Sequence, residues 1–200
     1  MILQVYNDIK PKNWLSKYQE KSILYLVIMF LFYHGIGIIS LLIGTLIVQN
    51  VITDYEEPVI ERSVIQVLAA GPIEETLFFG IPFYAFGSTI LTLFGGIAWA
   101  MLHILGTNSL EVSQLNYANL FFVIPSLFFS LRTWITGKGW FAIIAHSVWN
   151  SIFFTLGCNS GEFPCSYYIK NEDISTIILS ILLIGATYVL MVRRNNKIIK

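Results

Sequence analysis

Two adjacent glutamates, Glu74 and Glu75, stand in the stretch Val64 to Gly80, which is otherwise almost wholly apolar. Further along, His103 lies four positions after Trp99, and Asn150 lies four positions after His146. On a helix, positions i and i+4 share one face. His146 and Asn150 would therefore project together, and Trp99 would stack one turn from His103. An ionised carboxylate at the centre of a membrane helix costs about 2.5–3.5 kcal/mol. A chain carrying two of them must shield both in a polar cavity.

These side chains suit hydrolysis of a peptide bond. Burial and a neighbouring like charge both disfavour ionisation of a carboxylate, which fits a general base working near neutral pH. An imidazole can share the water or hand a proton to the leaving amine. A histidine N–H and an asparagine amide on one face offer two donors to a developing oxyanion, and losing one such donor typically raises the barrier by about 3–4 kcal/mol. The competing reading is structural, because polar residues inside membranes also bond helices together. A glutamate pair, a histidine and a His-x-x-x-Asn on three separate apolar spans favour chemistry over packing alone.

The elements that must position these groups follow from composition. The chain has 200 residues, 56% hydrophobic and 12% charged, whereas a soluble domain carries about 25% charged residues. Six apolar spans can be marked, near Ser22–Val48, Ile60–Phe86, Ser88–Leu105, Asn119–Thr136, Trp140–Gly157 and Ile174–Val192. Each approaches the roughly 20 residues that a helix needs to cross the hydrocarbon. The first is too long for a signal-peptide core and has no small-residue cleavage pattern after it. The expectation is an all-α integral membrane protein. It would have about six transmembrane helices around a polar intramembrane cavity, and residues 1–200 would form a single polytopic domain. Within it, 1–21 would be an N-terminal segment and 60–157 the motif-bearing core.

Charge orients the spans. Lys10, Lys12, Lys17, Lys21, Arg132, Lys138, Arg193, Arg194, Lys197 and Lys200 fall on one side if six spans alternate. Only Arg62 and Lys170 fall on the other. The positive-inside rule places both termini in the cytoplasm. Asp54, Glu56, Glu57, Glu61, Glu111, Glu162, Glu172 and Asp173 collect outside. Net charge is zero, which gives no reason to expect nucleic acid binding.

Cys158 and Cys165 fall in the outer loop between spans five and six, where a disulfide and two free thiols are both admissible. His34, among Tyr33, Gly35 and Gly37, and the pattern Ser40-x-x-x-Gly44 read as close helix packing rather than catalysis. Arg132 would snorkel to the interface. The segment Lys10–Lys21, with Trp14, Leu15 and Tyr18 among lysines, would lie along the membrane surface.

The run Gly71-Pro72-Ile73-Glu74-Glu75-Thr76-Leu77-Phe78-Phe79-Gly80, then Trp99-x-x-x-His103, then His146-x-x-x-Asn150 resembles the three motifs of the CPBP (ABI) family. That family includes the type II CAAX prenyl endopeptidases and bacteriocin-processing and immunity proteins. The resemblance covers residues 60 to 157. It implies Glu74 as the base that activates water, His103 as its partner, His146 and Asn150 as the oxyanion site, and Glu75 as a supporting carboxylate. One position departs from the pattern: Phe79 stands where the family has an arginine. Glu75 then lacks its expected cation, and is either protonated and hydrogen-bonded or paired with something else.

The sequence thus predicts an intramembrane endopeptidase in the cell membrane. It would act on a small membrane-associated peptide or lipid-modified protein, of CAAX, bacteriocin or signal-peptide type. No cofactor is expected. Zinc is the minority alternative, since glutamate and histidine are legitimate ligands while asparagine is a poor one. The rival from another class is a non-catalytic immunity or scaffold protein that keeps the family pocket. A transporter fits less well, because no repeated broken-helix halves are present.

Overall fold

The computed structural model describes residues 2–10, 13, 21–51, 62–105, 117–160 and 165–198. Each apolar span marked in the sequence is helical over most of its described residues. Helix α1 is Ile2–Ile9 and α2 is Ile23–Val51. A two-residue strand β1 (Arg62–Ser63) leads into α3 (Val64–Glu75), a π-helical turn (Thr76–Gly80) and α4 (Ile81–Phe86). Then come α5 (Thr89–Leu105), α6 (Tyr117–Ile135) and α7 (Gly139–Ser160), followed by strand β2 (Cys165–Ser166) and α8 (Asn171–Ile198). Helices suit an apolar solvent because they satisfy their backbone groups internally.

Among the described residues, four stretches are long and apolar enough to cross a membrane: Ile23–Val48, Val64–Phe86, Gly139–Ser160 and Asn171–Arg194. Two further apolar helices, Thr89–Ile104 and Leu120–Ile135, are shorter. The all-helical membrane class therefore stands on length and composition. Residues 14–20 of the expected surface segment lie outside the described residues. So do Lys12, Lys200, Asp54, Glu56, Glu57, Glu61, Glu111 and Glu162 of the charge argument.

The chain divides into two compact units, residues 1–58 with 96–137 and residues 59–95 with 138–200, the boundary at 95/96 falling within α5. In the first unit α2 packs on α6. Gly37 seats the Phe122 ring, where an added Cβ would lie 2.9 Å from Cδ2, and Gly44 seats Phe121 still more closely. His34 is buried against Phe30, Phe122 and Phe129, its Nδ1 3.1 Å from the Phe30 carbonyl. Gly37 and Gly44 thus pack closely as expected, whereas a Cβ at Gly35 would meet nothing within 4 Å.

Arg132 corrects an expectation. It is buried, not extended to an interface. Its Nη1 donates to the Asn13 carbonyl at 2.9 Å and its Nη2 lies 3.4 Å from Asp8. Tyr25 donates its hydroxyl to the same Asp8 carboxylate. A guanidinium withdrawn from water needs a counter-ion and hydrogen bonds, and α1 supplies the carboxylate. Sequence spacing cannot reveal that a residue 124 positions earlier (Asp8 to Arg132) returns to meet it.

In the second unit α3 packs on α7 and α8, and α4 on α8. The starts of α3 and α8 are fastened by one side chain. Asp173 is fully buried. It accepts the Ser63 hydroxyl at 2.9 Å and the Lys170 N–H at 2.8 Å. Ser63 in turn caps α3 by accepting the Ile65 N–H at 3.1 Å. Asp173 thus serves the exposed N–H groups of two helix starts, directly in α8 and through Ser63 in α3. Beside this knot β1 pairs in parallel with β2, Arg62 opposite Cys165. Cys165 is disulfide-bonded to Cys158 at the end of α7, with Cα atoms 5.9 Å apart. Near the other end of α8, Arg194 donates to the Phe83 carbonyl at 2.7 Å and lies over the Phe83 ring.

Candidate active site

The glutamate pair lies where α3 gives way to the π-helical turn. Such single-turn π segments in otherwise α-helical stretches are frequent at functional sites. The Ile81 N–H bonds the Thr76 carbonyl, a reach of five residues that widens the helix just past Glu75. The Thr76 hydroxyl bonds back to the Pro72 and Ile73 carbonyls. Gly95, early in α5, lets that helix press against the Phe78 carbonyl. Pro82 has no N–H to offer this oxygen four residues earlier.

Both carboxylates reach one imidazole on α7. His146 Nδ1 lies 3.2 Å from Glu75 Oε1 and Nε2 lies 3.6 Å from Glu74 Oε2. The Glu75 side chain is 1% exposed and that of Glu74 is 25% exposed. Adjacent helical positions diverge by about 100°, which would turn one glutamate toward a different helix. Instead the pair straddles a single ring. Glu75, lacking the family arginine, has His146 as its partner. Phe79, at the arginine's position, is fully buried.

Asn150 sits one turn after His146 on α7, half-buried. His103 belongs to the first unit. There its Nδ1 lies 2.9 Å from the Trp99 carbonyl, and the two rings are 4.4 Å apart between centroids, the one-turn stacking expected from the spacing. Within one unit, then, the structure brings together Glu74, Glu75 and His146, with Asn150 on the same helix. Among the described residues no group of three His, Cys, Asp or Glu side chains is arranged to hold a metal ion.

Ser147 was not singled out from the sequence. Its hydroxyl donates to the Leu68 carbonyl at 2.8 Å, joining α7 to α3 beside the cluster. The one available signal was Pro72, which deprives Leu68 of its helical donor; no spacing rule identifies the substitute donor.

The long apolar helices are those of a helical membrane protein by length and composition, and two of its helices, α3 and α7, bring two carboxylates to one imidazole. Residues 58–152 match the family model described as type II CAAX prenyl endopeptidase Rce1-like. The resemblance carried by the three motifs is therefore shown, and the matched segment contains Glu74, Glu75, His103, His146 and Asn150. No curated protein and no solved structure matches the chain.

Proposed function

We propose that the chain is an intramembrane endopeptidase of the CAAX type, in which Glu74 activates water and His146 serves proton transfer. The observation that carries this reading is His146 held between two carboxylates, one buried and one partly open. The Glu75 carboxylate accepts from Nδ1 and orients the ring, leaving Nε2 toward Glu74 and the reacting water. Glu74 takes a proton from water as the oxygen adds to the scissile carbonyl. Glu74 passes that proton to His146 Nε2, which delivers it to the departing amine as the C–N bond breaks. Asn150, one turn away, offers its amide to the oxyanion. His103, the histidine of the second motif, keeps in this proposal the role that the resemblance implies.

In this proposal α5 and α6 complete six crossings, both termini are cytoplasmic, and the protein resides in the cell membrane. The substrate is a prenylated or otherwise membrane-associated peptide or protein. The mechanism requires no metal. The test is cleavage of a membrane-peptide library by purified protein. Activity should survive exhaustive chelation, and Glu74→Gln should abolish it without changing the melting temperature in detergent. Retained turnover in Glu74→Gln would end the proposal. Restoration of chelated enzyme only by zinc would replace the metal-free mechanism. An immunity or scaffold role predicts instead that Glu74→Ala and His146→Ala leave the cellular phenotype intact.

A further inference from the structure

Pro72 has no N–H, so the carbonyl four residues earlier, that of Leu68, is left without its helical donor. Inside a bilayer no water replaces that donor. The Ser147 hydroxyl does so, at 2.8 Å. One and two turns on, Ser151 and Thr155 donate to carbonyls of their own helix, the usual habit of helical hydroxyls. Ser147 reaches across to α3. The approach requires Gly71, where a Cβ would press on the Ser147 Oγ and lie 2.5 Å from the Ile143 carbonyl and 2.9 Å from the Ser147 N. The cross-link lies next to His146 on one helix and ahead of Glu74 and Glu75 on the other.

We infer that the Ser147–Leu68 bond is the register pin that sets His146 between Glu74 and Glu75, making Ser147 a positioning residue of the site. The inference rests on the reading of that cluster as the reacting centre. A slip of one residue along a helix moves a side chain by about 1.5 Å. That is large against the 3.2 and 3.6 Å separations that define the cluster. Pro72 creates the unsatisfied acceptor, Gly71 opens the space and Ser147 occupies it. These three residues act as one device.

Pro72→Ala separates pinning from mere satisfaction of a carbonyl, because an alanine at that position returns an N–H to the Leu68 carbonyl. The experiment compares wild type, Pro72→Ala, Ser147→Ala and the double variant. Melting temperature, kcat and KM are measured, together with the 15N ring resonances of His146, assigned by their loss in His146→Gln. Ser147→Ala should lower both the melting temperature and kcat. The double variant should regain stability yet remain about tenfold to a hundredfold below Pro72→Ala in kcat, the scale of a misplaced reacting group, with KM little changed. Its His146 resonances should differ from those of Pro72→Ala. Unchanged resonances overturn the pin whatever the activity does. Shifted resonances with kcat equal to that of Pro72→Ala overturn the positioning role. If wild type cleaves nothing, the peptidase reading fails while the resonances still decide the pin.

Discussion

Glu75 Oε1 lies 3.2 Å from His146 Nδ1 across the α3–α7 contact, 71 residues apart in the chain. A carboxylate this deeply buried is tolerated only with a partner. In this chain the partner is also a proposed participant in catalysis, so stability and chemistry share one bond. The consequences can be measured separately.

Glu75→Gln keeps an oxygen that can accept from Nδ1, whereas Glu75→Ala leaves the ring nitrogen without its acceptor. The alanine variant should lose about 1–3 kcal/mol of stability, read from thermal melts in detergent, and the glutamine variant less. Both should turn over more slowly than wild type and faster than Glu74→Gln. Glu75→Gln matching Glu74→Gln in complete loss would assign Glu75 a direct role in the reaction.

The Asp173 knot predicts coupling between two helix starts. Asp173→Ala removes an acceptor used by the Ser63 hydroxyl and the Lys170 N–H and should cost about 1–3 kcal/mol. Ser63→Ala removes one cap and should cost about 1 kcal/mol. A double-mutant cycle should show that the second substitution costs less once the first is made. Strict additivity would show the bond to be energetically idle.

The Cys158–Cys165 bridge closes a short loop, with a sequence separation of 7. The chain-entropy relation gives about 2 kcal/mol for a ring of that size. Cys158→Ser with Cys165→Ser should therefore melt lower than wild type. In intact cells a membrane-impermeant reductant followed by an impermeant thiol label should mark both cysteines of the wild type. Labelling only after permeabilisation would invert the proposed orientation.

Two glycines of α2 should respond oppositely to alanine. A Cβ at Gly44 collides with the Phe121 ring, whereas one at Gly35 meets nothing within 4 Å. Gly44→Ala should destabilise by about 1–3 kcal/mol through overpacking. Gly35→Ala should be neutral, or stabilise by up to about 1 kcal/mol through helix propensity. Paired melts of the two variants decide it; equal effects would contradict the packing described for α2 and α6.

Much of the fold was legible in the sequence because hydropathy acts locally. The six apolar runs are helical over most of their described residues, and His103 stacks on Trp99 as one-turn spacing requires. The Cys158–Cys165 pairing was one of two admissible outcomes and is formed. Arg132 was misread because a basic residue near a span end ordinarily reaches water, while here Asp8 comes to it. Asp173 looked like one of several outer acids, and nothing in its neighbourhood pointed to Ser63.

Within the candidate site, the residue types and their order along the chain were readable, since a glutamate pair cannot sit in lipid without a reason. What the sequence by itself determined was the set of apolar helices and the ionisable groups they must hide, because transfer free energy and helical periodicity depend on neighbours in the chain. Only the tertiary structure decided that Glu74 and Glu75 would share His146, and that Ser147 would take the carbonyl Pro72 leaves open. Those choices depend on the register of α3 against α7. At that register the bare backbone of Gly71 lies against Ser147 and the Ser147 hydroxyl meets the Leu68 carbonyl, a match between two separate segments that neither encodes alone.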